Sequence, residues 1–259
     1  MSESALYLYY NQRVKQVFNH LLEFDISSSE NSLHDFRVEI KKMRAIMKFL
    51  KSVYRKQKLK KTTRQLNSIF QEAGEIREYQ LLLLWFQKHD LNIFIKKTFP
   101  VETLEEMINK FHKKVHEFKH DLKDLNDHVN EYILKTNEIL AEQYVTDLSV
   151  QIETLVRKNC PISEWHELRK IIKQWMYAIN WVENGIVTDI SFYQKLQEAI
   201  GYWHDAQVIK EILLQKKIFL SQDVELQKSF SIANEKLNQS LKYREKQILE
   251  LLSRKEIVA

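Results

Sequence analysis

Two histidines in this chain carry an arginine three residues on and a lysine seven on. The first runs His34, Arg37, Lys41, then Arg44 and Lys48. The second runs His166, Arg169, Lys173, with Lys170 between and Tyr177 one turn further. Arginine offers a planar fork for bidentate contact with phosphate oxygens, and lysine a mobile point charge. Histidine is a donor that gains charge near neutral pH. At 100° per residue, His34, Arg37, Lys41, Arg44 and Lys48 share about 80° of one helical face, away from Asp35 and Glu39. His166, Arg169, Lys173 and Tyr177 share a second such face. Like charges on one face cost stability, whereas ordinary solvated faces alternate sign. The spacing therefore points to a bound anion.

Other chemistry is poorly supplied. Phosphoryl transfer needs carboxylates to hold metal beside the cations, and neither face has one. His112, His116 and His120 recur every four residues, a spacing that can chelate zinc. They are interleaved with Lys113, Lys114 and Lys119 and lack a completing carboxylate or thiolate, so they read as polar surface. His166-Glu167 is followed by Lys170 where a zinc-protease helix needs its second histidine. No phosphate-binding glycine loop or dinucleotide fingerprint occurs, and Cys160 has no evident base. No cofactor is implied, and the site reads as non-catalytic.

Helices must position these faces. With three glycines and two prolines in 259 residues, tight turns are scarce, and Leu, Lys, Glu, Gln and Ile favour long helices. Apolar spacing predicts helices over about 4–24, one to about Tyr54, one ending near Gly74, and one from Ile76 to Lys88. Further helices are expected over 102–124, 127–158, 164–183 (stopped at Asn184-Gly185), 189–200, 204–216 and 220–252. Ser27–Ser32 is a break with capping hydroxyls, and Pro100 is a hinge. The five tryptophans take core phases, and no strand is convincing. Behind the cationic arc, Phe36, Ile40, Met43, Met47 and Leu50 form a core stripe.

Forty basic residues face thirty-five acidic ones, a net charge of +5 that hints at an anionic partner without identifying it. A lone cysteine fits a reducing compartment. No secretory signal or membrane-length apolar run is visible, so a cytoplasmic, membrane-free protein is expected.

Each histidine helix also has an echo downstream: Gly74-Glu75-Ile76-Arg77-Glu78 and Gly201-Tyr202-Trp203-His204-Asp205. Two of the three glycines thus occupy matching points of a duplicated pattern, with 1–100 as first repeat and 101–259 as second. These paired motifs resemble the CHAD domain, the conserved histidine α-helical domain, over essentially the whole chain. The resemblance implies a stand-alone all-α domain of two pseudo-symmetric antiparallel helical bundles around a basic groove or pore. It also implies non-catalytic binding of inorganic polyphosphate, possible association with polyphosphate granules, and polyphosphate-metabolising enzymes as further partners. By position, His34, Arg37, Lys41 and Arg44 match the first basic motif, and His166, Arg169, Lys173 and Tyr177 the second. Lys61 and Arg64 take the basic positions before the first glycine element. Gln174 and Met176 stand where cations are usual, which weakens the second face and leaves Lys170 to offset part of the loss. Glu78 and Asp205 are expected to pair with buried cations and fix helix packing. RNA or single-stranded DNA is the alternative ligand, disfavoured because aromatic platforms for bases are absent from the arcs apart from Tyr177.

Overall fold

A computed structural model describes residues 4–182, 190–216 and 223–256. Among these the chain is helical and contains no strand. Its helices are α1 (Ala5–Ser27), α2 (Glu30–Tyr54), α3 (Gln57–Lys88), α4 (Asn92–Lys97) and α5 (Val101–Ile133). They continue with α6 (Glu138–Arg157), α7 (Ile162–Ala178), α8 (Ser191–Lys216) and α9 (Val224–Glu256), and a 3-10 turn over Ile179–Trp181 follows α7.

Local chemistry explains the boundaries that the sequence marks well. Ser28 closes α1 in the left-handed conformation at φ 51°, and the Ser29 hydroxyl accepts the Ser32 N–H at 3.4 Å to open α2. Pro100 precedes the first turn of α5, where a missing N–H costs nothing.

Three boundaries differ from the sequence expectation. The expected stops at Gly74 and between 200 and 204 do not exist, because α3 and α8 run straight through Gly74 and Gly201. Tertiary contact, described below, is what calls for glycine there. The break expected near 125 falls instead at 134–137, where Thr136 ends the pattern by turning its hydroxyl onto the Tyr132 carbonyl at 2.8 Å. The expected stop at Asn184-Gly185 lies outside the described residues.

The chain divides into two compact units. The first comprises Met1–Trp85, Phe99–Val145 and Tyr177–Ile186, and the second Phe86–Thr98, Thr146–Met176 and Val187–Ala259. These units are not the two sequence segments 1–100 and 101–259, since α5 packs with α1 and α2 in the first. In that unit Phe24, Phe36 and Phe118 surround Phe111 at centroid distances of 5.0–6.3 Å. Phe36, Ile40, Met43, Met47 and Leu50 are all buried, as their phase on α2 requires. In the second unit Trp165 meets Trp203 edge-on at 5.4 Å, and Trp175 meets Tyr193 at 5.2 Å. Trp181 is buried as well, whereas Trp85 is only half-buried.

Candidate functional site: two cationic helices, each anchored on a glycine

The core stripe of α2 fixes which way its cations point, so Arg37, Lys41 and Arg44 emerge on one side and meet Phe70 of α3. The guanidinium carbons of Arg37 and Arg44 lie 4.5 and 4.3 Å from the Phe70 ring centroid, and the Lys41 ammonium 5.9 Å. Such cation–π contacts stabilise by about 0.5–2 kcal/mol each. They offset part of the repulsion among three cations gathered on one ring.

Arg37 goes further. Its Nη1 donates to the Phe70 carbonyl at 3.1 Å, four residues before Gly74. That carbonyl already lies in the α3 ladder, so the arginine must reach the helix backbone itself. A Cβ on Gly74 would sit 2.5 Å from Nη1, closer than packed atoms come. Glycine at 74 is therefore an opening for the guanidinium rather than a helix end.

The second unit repeats the arrangement. Arg169 Nε donates to the Gln197 carbonyl at 3.2 Å, four residues before Gly201. A Cβ on Gly201 would meet Nε and Nη2 of Arg169 at 3.0 Å each. The duplicated arginine and the duplicated glycine are thus two halves of one contact.

Among the described residues, Arg37, Arg44, Arg169 and Lys173 form no ion pair with a carboxylate. Burial pushes the Arg37 guanidinium down to about 10, with Arg77 and Arg44 adding to the effect and Glu78 opposing it. Arg44 is lowered by burial. Lys173 is lowered by burial first and by Arg169 second, with Glu198 and Asp205 opposing. Burial thus holds these groups in surroundings that would gain from a negative charge. Glu78 and Asp205 act on Arg37 and Lys173 through space, while Arg37 and Arg169 donate their hydrogen bonds to backbone carbonyls.

Both motif histidines are shifted towards the neutral form. His34 is lowered by lost hydration, then by Arg77, Lys41 and Arg37 against the opposing Asp35. His166 is lowered by burial, then by His204, Lys170 and Arg169 against the opposing Glu167. The rings of His166 and His204 stand 4.2 Å apart.

The remaining expected site residues divide. Lys48, Lys61 and Arg64 are exposed and form no ion pair among the described residues. Lys170 is paired with Glu167. Tyr177 lies in the last turn of α7, one turn beyond Lys173, and is grouped with the first compact unit. Gln174 is buried. Phe70, Arg77 and His204 are the members that spacing arguments on the histidine helices overlooked. Their signal is positional: Phe70 precedes its glycine by the same four residues as Gln197, and Arg77 and His204 each follow theirs by three.

The histidine stripe on α5 is partly engaged. His112 Nδ1 lies 3.2 Å from Asp25 and its Nε2 3.0 Å from the Ser28 hydroxyl, and His120 lies 3.5 Å from Asp124. No group of three or more metal-binding side chains occurs among the described residues, and no helix among them is long and apolar enough to cross a membrane.

The fold and this pair of anchored basic helices define an all-helical domain with two repeated cationic faces. The CHAD domain family model matches residues 12–214, and the chain belongs to the CHAD family. The crystal structure of the CHAD domain from the plant Ricinus communis is similar in fold, with TM-score 0.76 and 15% identity over 96% of this chain and 90% of that one. No curated protein sequence matches the chain.

Proposed function

We propose that this protein binds inorganic polyphosphate, without catalysis, through the cationic faces of α2 and α7. The observation that carries the reading is the gathering of Arg37, Lys41 and Arg44 on one ring, with Lys173 and Arg169 in the other unit. Arg37, Arg44, Arg169 and Lys173 make no carboxylate pair among the described residues. A linear polyanion supplies evenly spaced oxygens without asking for base edges or a reacting carboxylate. Such a ligand also restores the charge balance that each face lacks. Cytoplasmic residence and association with polyphosphate granules or polyphosphate-metabolising enzymes accompany this reading.

Nucleic acid is the weaker ligand on a specific ground. Single-stranded DNA and RNA binders offer open aromatic faces for stacking, whereas Phe70 is covered by two guanidinium groups at 4.3 and 4.5 Å.

The test uses Arg44→Glu with Lys173→Glu, because neither residue anchors a helix as Arg37 and Arg169 do. Wild-type affinity for long-chain polyphosphate should fall with salt at a logarithmic slope of about −4 for roughly six phosphate contacts. The double variant should retain its circular dichroism spectrum and lose more than ~2 kcal/mol of binding. Unchanged retention of polyphosphate by the folded double variant overturns the reading, and so does an oligonucleotide that polyphosphate cannot displace.

A further inference from the structure

The internal repeat places different residues at one matching position. In the first unit the glycine element supplies Arg77, which after lost hydration is the largest influence on His34. In the second it supplies His204, whose ring lies 4.2 Å from that of His166 at an interplanar angle of 39°. The first face therefore has one imidazole in the field of a permanent cation, whereas the second has two imidazoles in contact.

Charges of both signs surround the pair. From α7, Arg169 and Lys170 bear on His166, and Glu167 opposes them but is already paired with Lys170. From α8, Asp205 and Glu198 act on Lys173. From α9, Glu245 accepts the Trp203 indole N–H at 3.2 Å. The Nδ1 atom of His166 is buried without a hydrogen-bond partner, so a proton there would have no acceptor. Charging both rings at this separation adds like charge to Arg169 and Lys170.

We propose that His166 and His204 form a proton-charged subsite, so that the second unit grips phosphate oxygens more tightly as pH falls while Arg77 keeps the matching position of the first unit charged at every pH. The inference rests on the polyphosphate reading and adds its regulation. When the polymer arrives its negative charge stabilises the imidazolium forms, so binding takes up protons. By reciprocity protonation raises the affinity for the polymer by the same factor. The first unit has one histidine under the influence of Arg77, whereas the second has two histidines in ring contact and so up to two proton-dependent charges.

Reciprocal exchange of the two residues separates this effect from general weakening. Calorimetric titration with long-chain polyphosphate, in buffers of contrasting ionisation enthalpy at about pH 6 and about pH 8, reads proton uptake directly. Each fully linked proton contributes about tenfold in affinity per pH unit. Wild-type protein should take up protons at the lower pH and bind ~10-fold tighter there or more. His204→Arg should reduce the uptake by up to about one proton and flatten the pH dependence while retaining binding. Arg77→His should replace the permanent cation acting on His34 by a second proton-dependent group and steepen it. If wild-type and both variants bind with equal proton uptake, this inference fails while the polyphosphate reading stands. If wild-type does not bind polyphosphate at either pH, the polyphosphate reading fails and takes the inference with it. Should His204→Arg not fold, Arg77→His carries the test alone, and an unaltered uptake in it is refuting.

Discussion

Replacing Gly74 by alanine sets two effects of opposite sign against each other. Alanine in a helix interior is favoured over glycine by about 1 kcal/mol, so α3 by itself gains. The added Cβ, however, would stand 2.5 Å from Arg37 Nη1, and the guanidinium must withdraw. Withdrawal forfeits its hydrogen bond to the Phe70 carbonyl at 3.1 Å, about 1.5–3 kcal/mol for a charged donor. It also weakens the stacking on Phe70 at 4.5 Å, about 0.5–1 kcal/mol. The net expectation is destabilisation by about 1–3 kcal/mol. Urea unfolding followed by circular dichroism measures it, and an Arg37→Ala background supplies the decisive control. There the obstacle is gone and Gly74→Ala should stabilise by up to ~1 kcal/mol. The same sign and size in both backgrounds would refute the idea that the glycine exists for the arginine. Gly201→Ala meets Arg169 at 3.0 Å rather than 2.5 Å, so its net effect should be smaller, within about 1 kcal/mol of zero.

Three further outcomes follow from the same geometry. Glu39 is buried and receives Arg13 at 2.9 Å and Lys42 at 2.6 Å; Glu39→Ala strands the Arg13 charge and should cost about 3–5 kcal/mol in denaturant unfolding, with a loss below ~1 kcal/mol contradicting the pairing. His34 and His166 are both lowered from the usual 6.5, so the unfolded chain binds protons first as pH falls. Unliganded stability is therefore fully present above about pH 6.5 and declines as pH drops through the lowered folded values. The melting temperature should fall over that window, and His34→Gln with His166→Gln should lessen the fall; an unaltered pH profile would contradict the shifts. Phe70→Leu removes the ring beneath Arg37, Lys41 and Arg44, leaving the three cations to repel one another. The expected loss is about 1–2 kcal/mol of stability, partly restored by added polyphosphate; thermal melts with and without the polymer check both halves.

Much of the helical plan is legible because it is local. The apolar spacing of α2 places Phe36, Ile40 and Met43 inward and its cations outward through the helix period alone. The break at Ser27–Ser29 follows from hydroxyl capping, another interaction spanning only a few residues. The duplicated histidine–arginine–lysine spacing and the matched glycines were likewise visible, and they suffice to mark two related cationic faces.

What those glycines do was not legible, because the atom that needs their missing side chain lies on a different helix. A glycine in mid-helix looks like a stop when only its neighbours are considered. Gly74 and Gly201 instead lie within unbroken helices because Arg37 and Arg169, distant in sequence, fill the space. Tertiary packing likewise turned Gln174 inward, gave Phe70 its three cations, and brought His166 against His204. The sequence determined which residue types recur and on which helical face. Only the packing of one helix on another decided which of them are anchors and which rings stand in contact, since those properties depend on contacts between residues far apart along the chain.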